Sequence, residues 1–138
     1  MKKIYLLMLL LIILVGIVTF IFSPTSIKGT STDGMWKVVY KKINEVEAGD
    51  AWKVSVTQLN DKEVIVKKLE FLENDKGISD RTEFYEGRDI DGTTYTLHPF
   101  SYPDLYYGEE PKKDASYSVV IIWTDAQGKT YDEKIELK

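Results

Sequence analysis

The chain changes its hydrophobic pattern once, near residue 25. Residues 4–22 (IYLLMLLLIILVGIVTFIF) are nineteen consecutive positions without a charge. Helical residues rise about 1.5 Å each, so this run reaches roughly 28 Å, close to the thickness of a hydrocarbon core. It predicts a transmembrane helix over 4–22. A cleaved signal peptide is the alternative, with Ser23 and Thr25 as a poor small-x-small site. Pro24 and Gly29 then predict a stop and a polar linker over 23–34. Beyond it, apolar residues alternate with polar ones. Trp36, Val38 and Tyr40 share one parity, as do Trp52, Val54 and Val56. So do Tyr117, Val119, Ile121 and Trp123, and again Tyr131, Ile135 and Leu137. A period of two marks strands with one buried face.

Seven strands are predicted, at 35–43, 51–59, 63–72, 82–86, 93–99, 116–124 and 129–137. Asn60-Asp61, Asp91-Gly92 and Asp125-Ala126-Gln127-Gly128 supply turns between them, with Gly128 suited to positive φ. Lys67 interrupts the parity of Ile65, Leu69 and Phe71. A bulge near Lys67-Lys68 explains that, and so does an edge position. Trp36, Trp52 and Trp123 fall on apolar parities and are expected in the core. Short strands joined by turns within 35–138 predict an all-β fold, a seven-stranded antiparallel β-sandwich after one N-terminal helix.

Two aromatics carry a resemblance. Trp52 lies in the second predicted strand. Tyr117 opens the sixth, directly after Asp114-Ala115-Ser116 and the Pro111-Lys112-Lys113 segment. In these features the domain resembles immunoglobulin and fibronectin type III domains, and the stretch before Tyr117 is similar to the run before their tyrosine corner. The cysteine pair of antibody domains is missing. The resemblance implies a fold and no activity. The whole layout also resembles small membrane-anchored extracytoplasmic proteins of Gram-positive bacteria.

Charge fixes the surroundings. Lys2 and Lys3 precede the apolar run, and only Lys28 follows it closely. The positive-inside rule then keeps residues 1–3 in the cytoplasm and the sandwich outside. With Lys2, Lys3 and Lys28 set aside, residues 30–138 hold 15 basic and 22 acidic residues, a net charge of −7. A surface so acidic is wrong for nucleic acid, whose phosphates need basic partners. No cysteine is present, which excludes disulfides, thiolate metal sites and a cysteine nucleophile.

Little of the remaining chemistry suggests catalysis. His98 is the single histidine, at the end of a predicted strand, and Ser101 lacks any activating motif. Asp89-Ile90-Asp91-Gly92 resembles the start of a calcium loop, without the later acids that complete one. An Asp-Gly turn accounts for it. No catalytic residue, metal ligand or cofactor is therefore expected. The stretch 100–115 is read as a long loop carrying Tyr102, Leu105, Tyr106 and Tyr107. Long loops are often functional, and tyrosines suit protein contacts and sugar stacking. These four residues are the candidate binding surface, for an envelope protein first and an envelope glycan second. Their bland alternative is a loop folded back over the end of the core.

Overall fold

The computed structural model describes residues 2–21, 25–45, 49–89 and 92–138. Helix α1 (Lys2–Ile21) is followed by ten strands. These are β1 (Ser26–Thr30), β2 (Trp36–Glu45), β3 (Gly49–Gln58), β4 (Val64–Glu73) and β5 (Lys76–Arg81). Then come β6 (Gly87–Arg88), β7 (Thr94–Leu97), β8 (Phe100–Gly108), β9 (Tyr117–Asp125) and β10 (Thr130–Leu137). Each strand pairing is antiparallel.

In α1 the large apolar side chains from Ile4 to Ile17 are all more than half exposed. Among the described residues no helix is long and apolar enough to cross a membrane.

The strands form two sheets, ordered β1-β2-β3-β8-β7-β6 and β10-β9-β4-β5. The chain crosses between them at β3–β4, β5–β6 and β8–β9. Their facing sides bury Trp36, Val38, Tyr40, Val54 and Val56 from the first sheet against Leu69, Phe71, Val119, Ile121 and Trp123 from the second. All three tryptophans are buried, as their parity predicts. One aromatic group centres on Tyr40, whose ring lies 5.3–5.9 Å from those of Trp52, Phe71, Tyr106 and Tyr117.

Three expectations change. The linker at 23–34 contains β1, which pairs with β2 from Ser26↔Lys41 to Thr30↔Lys37. Backbone bonds of 3.0 Å run both ways between Lys28 and Lys138, so β1 also reaches the tail of β10. Gly29 permits that approach, because a Cβ there would meet the Glu136 carbonyl and lie 2.7 Å from the Ile135 side chain. A polar sequence hides such a strand, since its stabilisation comes from backbone pairing at an edge.

The strand expected at 82–86 is a crossing segment without strand pairing, and β5 precedes it. A two-residue turn at Asn74 and Asp75 folds β5 onto β4, with φ of 49° and 63°. Asn and Asp tolerate that left-handed geometry better than most residues. In β4 the register shifts between Val66 and Lys68, so Lys67 is the bulge residue. The shift moves burial from Val64 and Val66 to Leu69 and Phe71, leaving Ile65 exposed. On the side away from β9, β5 covers only Leu69–Glu73, so Lys67 is at a bulge and an open edge together.

The long loop at 100–115 is the third correction. Its first nine residues are β8, an inner strand of the first sheet. The connection to β9 is correspondingly short.

Tyr117 pins that connection. Its hydroxyl accepts the Lys112 N–H at 2.9 Å and donates to Glu73 at 2.9 Å. Lys112 closes the group with an ion pair to Glu73 at 3.2 Å. Losing both hydroxyl bonds in Tyr117→Phe is expected to lower unfolding free energy by about 1–3 kcal/mol, read by urea titration. The Tyr117 bond, then Lys112, hold the Glu73 carboxyl below its ordinary value of 4.5. A depressed carboxyl stabilises the fold above its unfolded pKa. That contribution fades as pH falls from about 4.5 through the lower folded value. Glu73→Gln should therefore flatten the loss of stability on acidification, and an equally steep acid transition would refute the assignment.

Candidate binding site on the flank of the sandwich

The four sequence-predicted tyrosine-loop residues do not share a surface. Leu105 is fully buried, Tyr102 is buried, and Tyr106 is half-buried against Tyr40 and Phe71. Only Tyr107 is exposed, at 49%. It lies opposite Lys53 in the neighbouring strand. Leu105 and Tyr102 are buried as members of an inner strand, not of a loop folded over the end of the core.

An irregularity in β8 explains why alternation failed to reveal it. Tyr106 pairs with Val54, and Tyr102 with Val56, so residues 103–105 stand opposite Ser55 alone. The extra residues change the parity, and Tyr102 and Leu105 both turn inward although three positions apart. Pro103, which has no N–H to give a ladder, sits within this bulge. It is the one sequence signal that could have disclosed the feature.

The bulge builds a pocket. A depression of about 470 Å³ is lined by Asp80, Arg81, Thr82, Glu83, Tyr85, Tyr102 and Asp104. The end of β5 supplies Asp80 and Arg81. The crossing segment supplies Glu83 and Tyr85, and β8 supplies Tyr102 and Asp104. Behind them Tyr95 of β7 is buried, its ring 5.2 Å from Tyr102 and 5.1 Å from Tyr85. Tyr85 is itself 57% exposed, backed by Tyr95 at an interplanar angle of 34°. Phe84, neighbour to Tyr85, packs inward between Phe100 and Tyr102 and fixes the segment to the core.

The polar groups are unequally served. Burial, followed by a hydrogen bond to Asp104, raises the Tyr95 phenol well above its ordinary value, so it stays protonated as a donor. Burial also raises Tyr102, while its bond with Arg81 opposes that shift. Asp104 Oδ1 is buried without a hydrogen-bond partner among the described residues. A buried acceptor left unmade costs free energy, so this oxygen is a place where a donor would be stabilising. The sequence reading found Tyr102 alone of this group. Arg81, Tyr85, Tyr95 and Asp104 come from four elements that only the fold brings together.

A second depression, about 450 Å³, lies at the end of the sandwich opposite Ser26. Met35, Trp123 and Tyr131 form its apolar wall, with Asp33, Lys62, Glu63 and Asp125 around them. Trp123 and Tyr131 stack at 5.7 Å and 17°. Asp33 is held below its ordinary value by the Ser31 hydroxyl and the Met35 N–H, at 2.7 and 2.9 Å. The Lys129 and Gln127 N–H groups and the Tyr131 hydroxyl all donate to Asp125, which is lowered too.

No protein-family model matches the chain, and neither a curated protein nor a solved structure matches it.

His98 is exposed in the turn between β7 and β8, lining a shallow groove with Ile65, Phe84 and Leu97. Ser101 pairs across its sheet with Thr57 and Thr96, and is not at that groove. Among the described residues no three His, Cys, Asp or Glu side chains converge to hold a metal. Ile90 and Asp91 of the calcium-like segment lie outside the described residues. Asp89 forms a 3.0 Å ion pair with Lys53, whose side chain is almost wholly buried.

Proposed function

We propose that this chain is a membrane-anchored extracytoplasmic binding module. Residues 4–22 span the membrane with residues 1–3 in the cytoplasm, and the sandwich outside binds a protein partner at the cell envelope without catalysis. The sandwich is of the immunoglobulin or fibronectin type III kind. The sheet order β10-β9-β4-β5 facing β2-β3-β8-β7 supports that assignment, as does the Tyr117 hydroxyl held on the backbone at Lys112. Trp52 in β3 agrees with it.

One observation carries the functional reading. β1 begins at Ser26, five positions after α1 ends at Ile21. A chain covers at most about 3.6 Å per residue, so Ser26 stays within roughly 18 Å of the helix end. The sandwich end that carries Ser26 is thereby kept at the membrane surface. The opposite end, with Met35, Trp123 and Tyr131, is the one free to meet a partner. Tyr131 is the part-exposed aromatic there, in a depression floored by the buried Met35 and Trp123 and rimmed by charged groups, an apolar centre within a polar rim such as protein contacts use.

Topology is tested with a single cysteine, which the native sequence lacks. Ala126→Cys should react with a membrane-impermeant maleimide on intact cells while the chain remains in carbonate-washed membranes. Reaction only after lysis would refute the outside location. Partner class is tested by the full chain in nanodiscs, sedimented with envelopes. Protease treatment of the envelopes should abolish binding. Undiminished binding would refute a protein partner.

A further inference from the structure

From the flank pocket we infer a second function, saccharide binding, with Tyr85 as the stacking platform and Asp104 and Arg81 as the hydroxyl partners. This goes beyond the protein-binding reading and uses a different surface.

The chemistry of the lining selects the ligand. A sugar hydroxyl donates and accepts at once, so its sites combine acceptors with donors. Here Asp80, Glu83 and Asp104 offer carboxylate oxygens, while Arg81 offers a fork of N–H donors. Thr82 can do either. A sugar also presents a face of C–H bonds, which packs on an aromatic ring. Tyr85 offers such a ring, more than half exposed and backed by Tyr95. Rigid backing keeps the entropy cost of binding low.

The rival ligand is a cationic side chain, attracted by the three carboxylates and by the tyrosine ring. Arg81 offsets one of those carboxylates, and a polyol can use it as a donor where a cation is repelled by it; the titration separates the two ligands. The unpartnered Asp104 Oδ1 then has an occupant. A sugar hydroxyl that reaches this buried oxygen supplies the missing donor. Tyr95 holds the Asp104 carboxylate in place from the core side.

Isothermal titration of the purified full chain in detergent tests this directly. Three probes serve: tetrasaccharides of glucose, of N-acetylglucosamine and of mannose. At least one should bind saturably below about 10 mM. Tyr85→Ala and Asp104→Asn should each weaken it about tenfold or more, a change of about 1.4 kcal/mol. Tyr85 is exposed, so its variant should keep the parental urea midpoint and separate binding from folding. No binding of any probe overturns the inference. Equal binding by parent and both variants overturns it as well, since the sugar then sits elsewhere. Tighter binding of N-acetyl-arginine amide than of every sugar, lost in Asp104→Asn, replaces the saccharide with a cation. The protein-partner reading is judged separately, by envelope sedimentation after protease treatment.

Discussion

Phe71→Ala should be the most damaging single truncation in the domain, lowering unfolding free energy by about 3–5 kcal/mol. Phe71 is wholly buried in β4, and its ring touches three others. It lies 5.3 Å from Tyr40, 5.1 Å from Tyr106 and 5.8 Å from Tyr117. Each neighbour belongs to a different strand, β2, β8 and β9, so the ring joins both sheets. Removing it leaves a void between aromatic side chains that cannot collapse freely. Tyr40 donates to the Glu109 carbonyl and Tyr117 to Glu73, so both rings are tied at their polar tips. Unfolding in urea, followed by tryptophan fluorescence, reads the loss. A drop below about 1 kcal/mol would mean the site relaxes, and the tied-ring account would fail. Truncation of Tyr107, exposed in the same region, should cost far less.

The second large effect is expected at Gly29. In Gly29→Val the new side chain cannot fit without moving β1 off the tail of β10, because backbone and Ile135 occupy the space. Overpacking of this kind costs about 1–3 kcal/mol. Its signature is local. Amide exchange at Lys28 and Lys138 should accelerate strongly, since each donates to the other's carbonyl. Amides in the β4–β9 ladder should exchange at nearly the parental rate relative to global stability. Uniform acceleration across both sheets would show instead that β1 folds with the core as one unit.

Sequence pattern revealed the parts of this fold in which burial and period coincide. β9 and β10 alternate cleanly and flank an Asp125–Gly128 turn, with the Gly128 φ at 81°. β2 and β3 are equally clear. The failures have separate physical causes. β1 is polar because it is an edge held by backbone bonds. β5 has exposed or half-buried residues throughout and is positioned by the Asn74-Asp75 turn, so no apolar stripe announces it. β8 alternates only until Pro103, where extra residues reverse its faces. That reversal made a central strand resemble a tyrosine-rich loop, and it also created the flank pocket. The pocket itself had no linear signature. Arg81, Tyr85, Tyr95 and Asp104 span three strands and a crossing segment, and tertiary structure alone sets their spacing.

The place of β1 has a mechanical consequence. Tension arriving from α1 enters the sandwich at Ser26 and runs along β1 toward Thr30. The ladder bonds to β2 lie perpendicular to the strands, so a pull along β1 strains all of them together in shear. The paired bonds between Lys28 and Lys138 share that strain with the second sheet. Were β1 pulled sideways, the same bonds would open one after another. A pull between α1 and the far end of the sandwich would thus meet the strand arrangement that resists force best, and the domain would carry that tension along its length without peeling open.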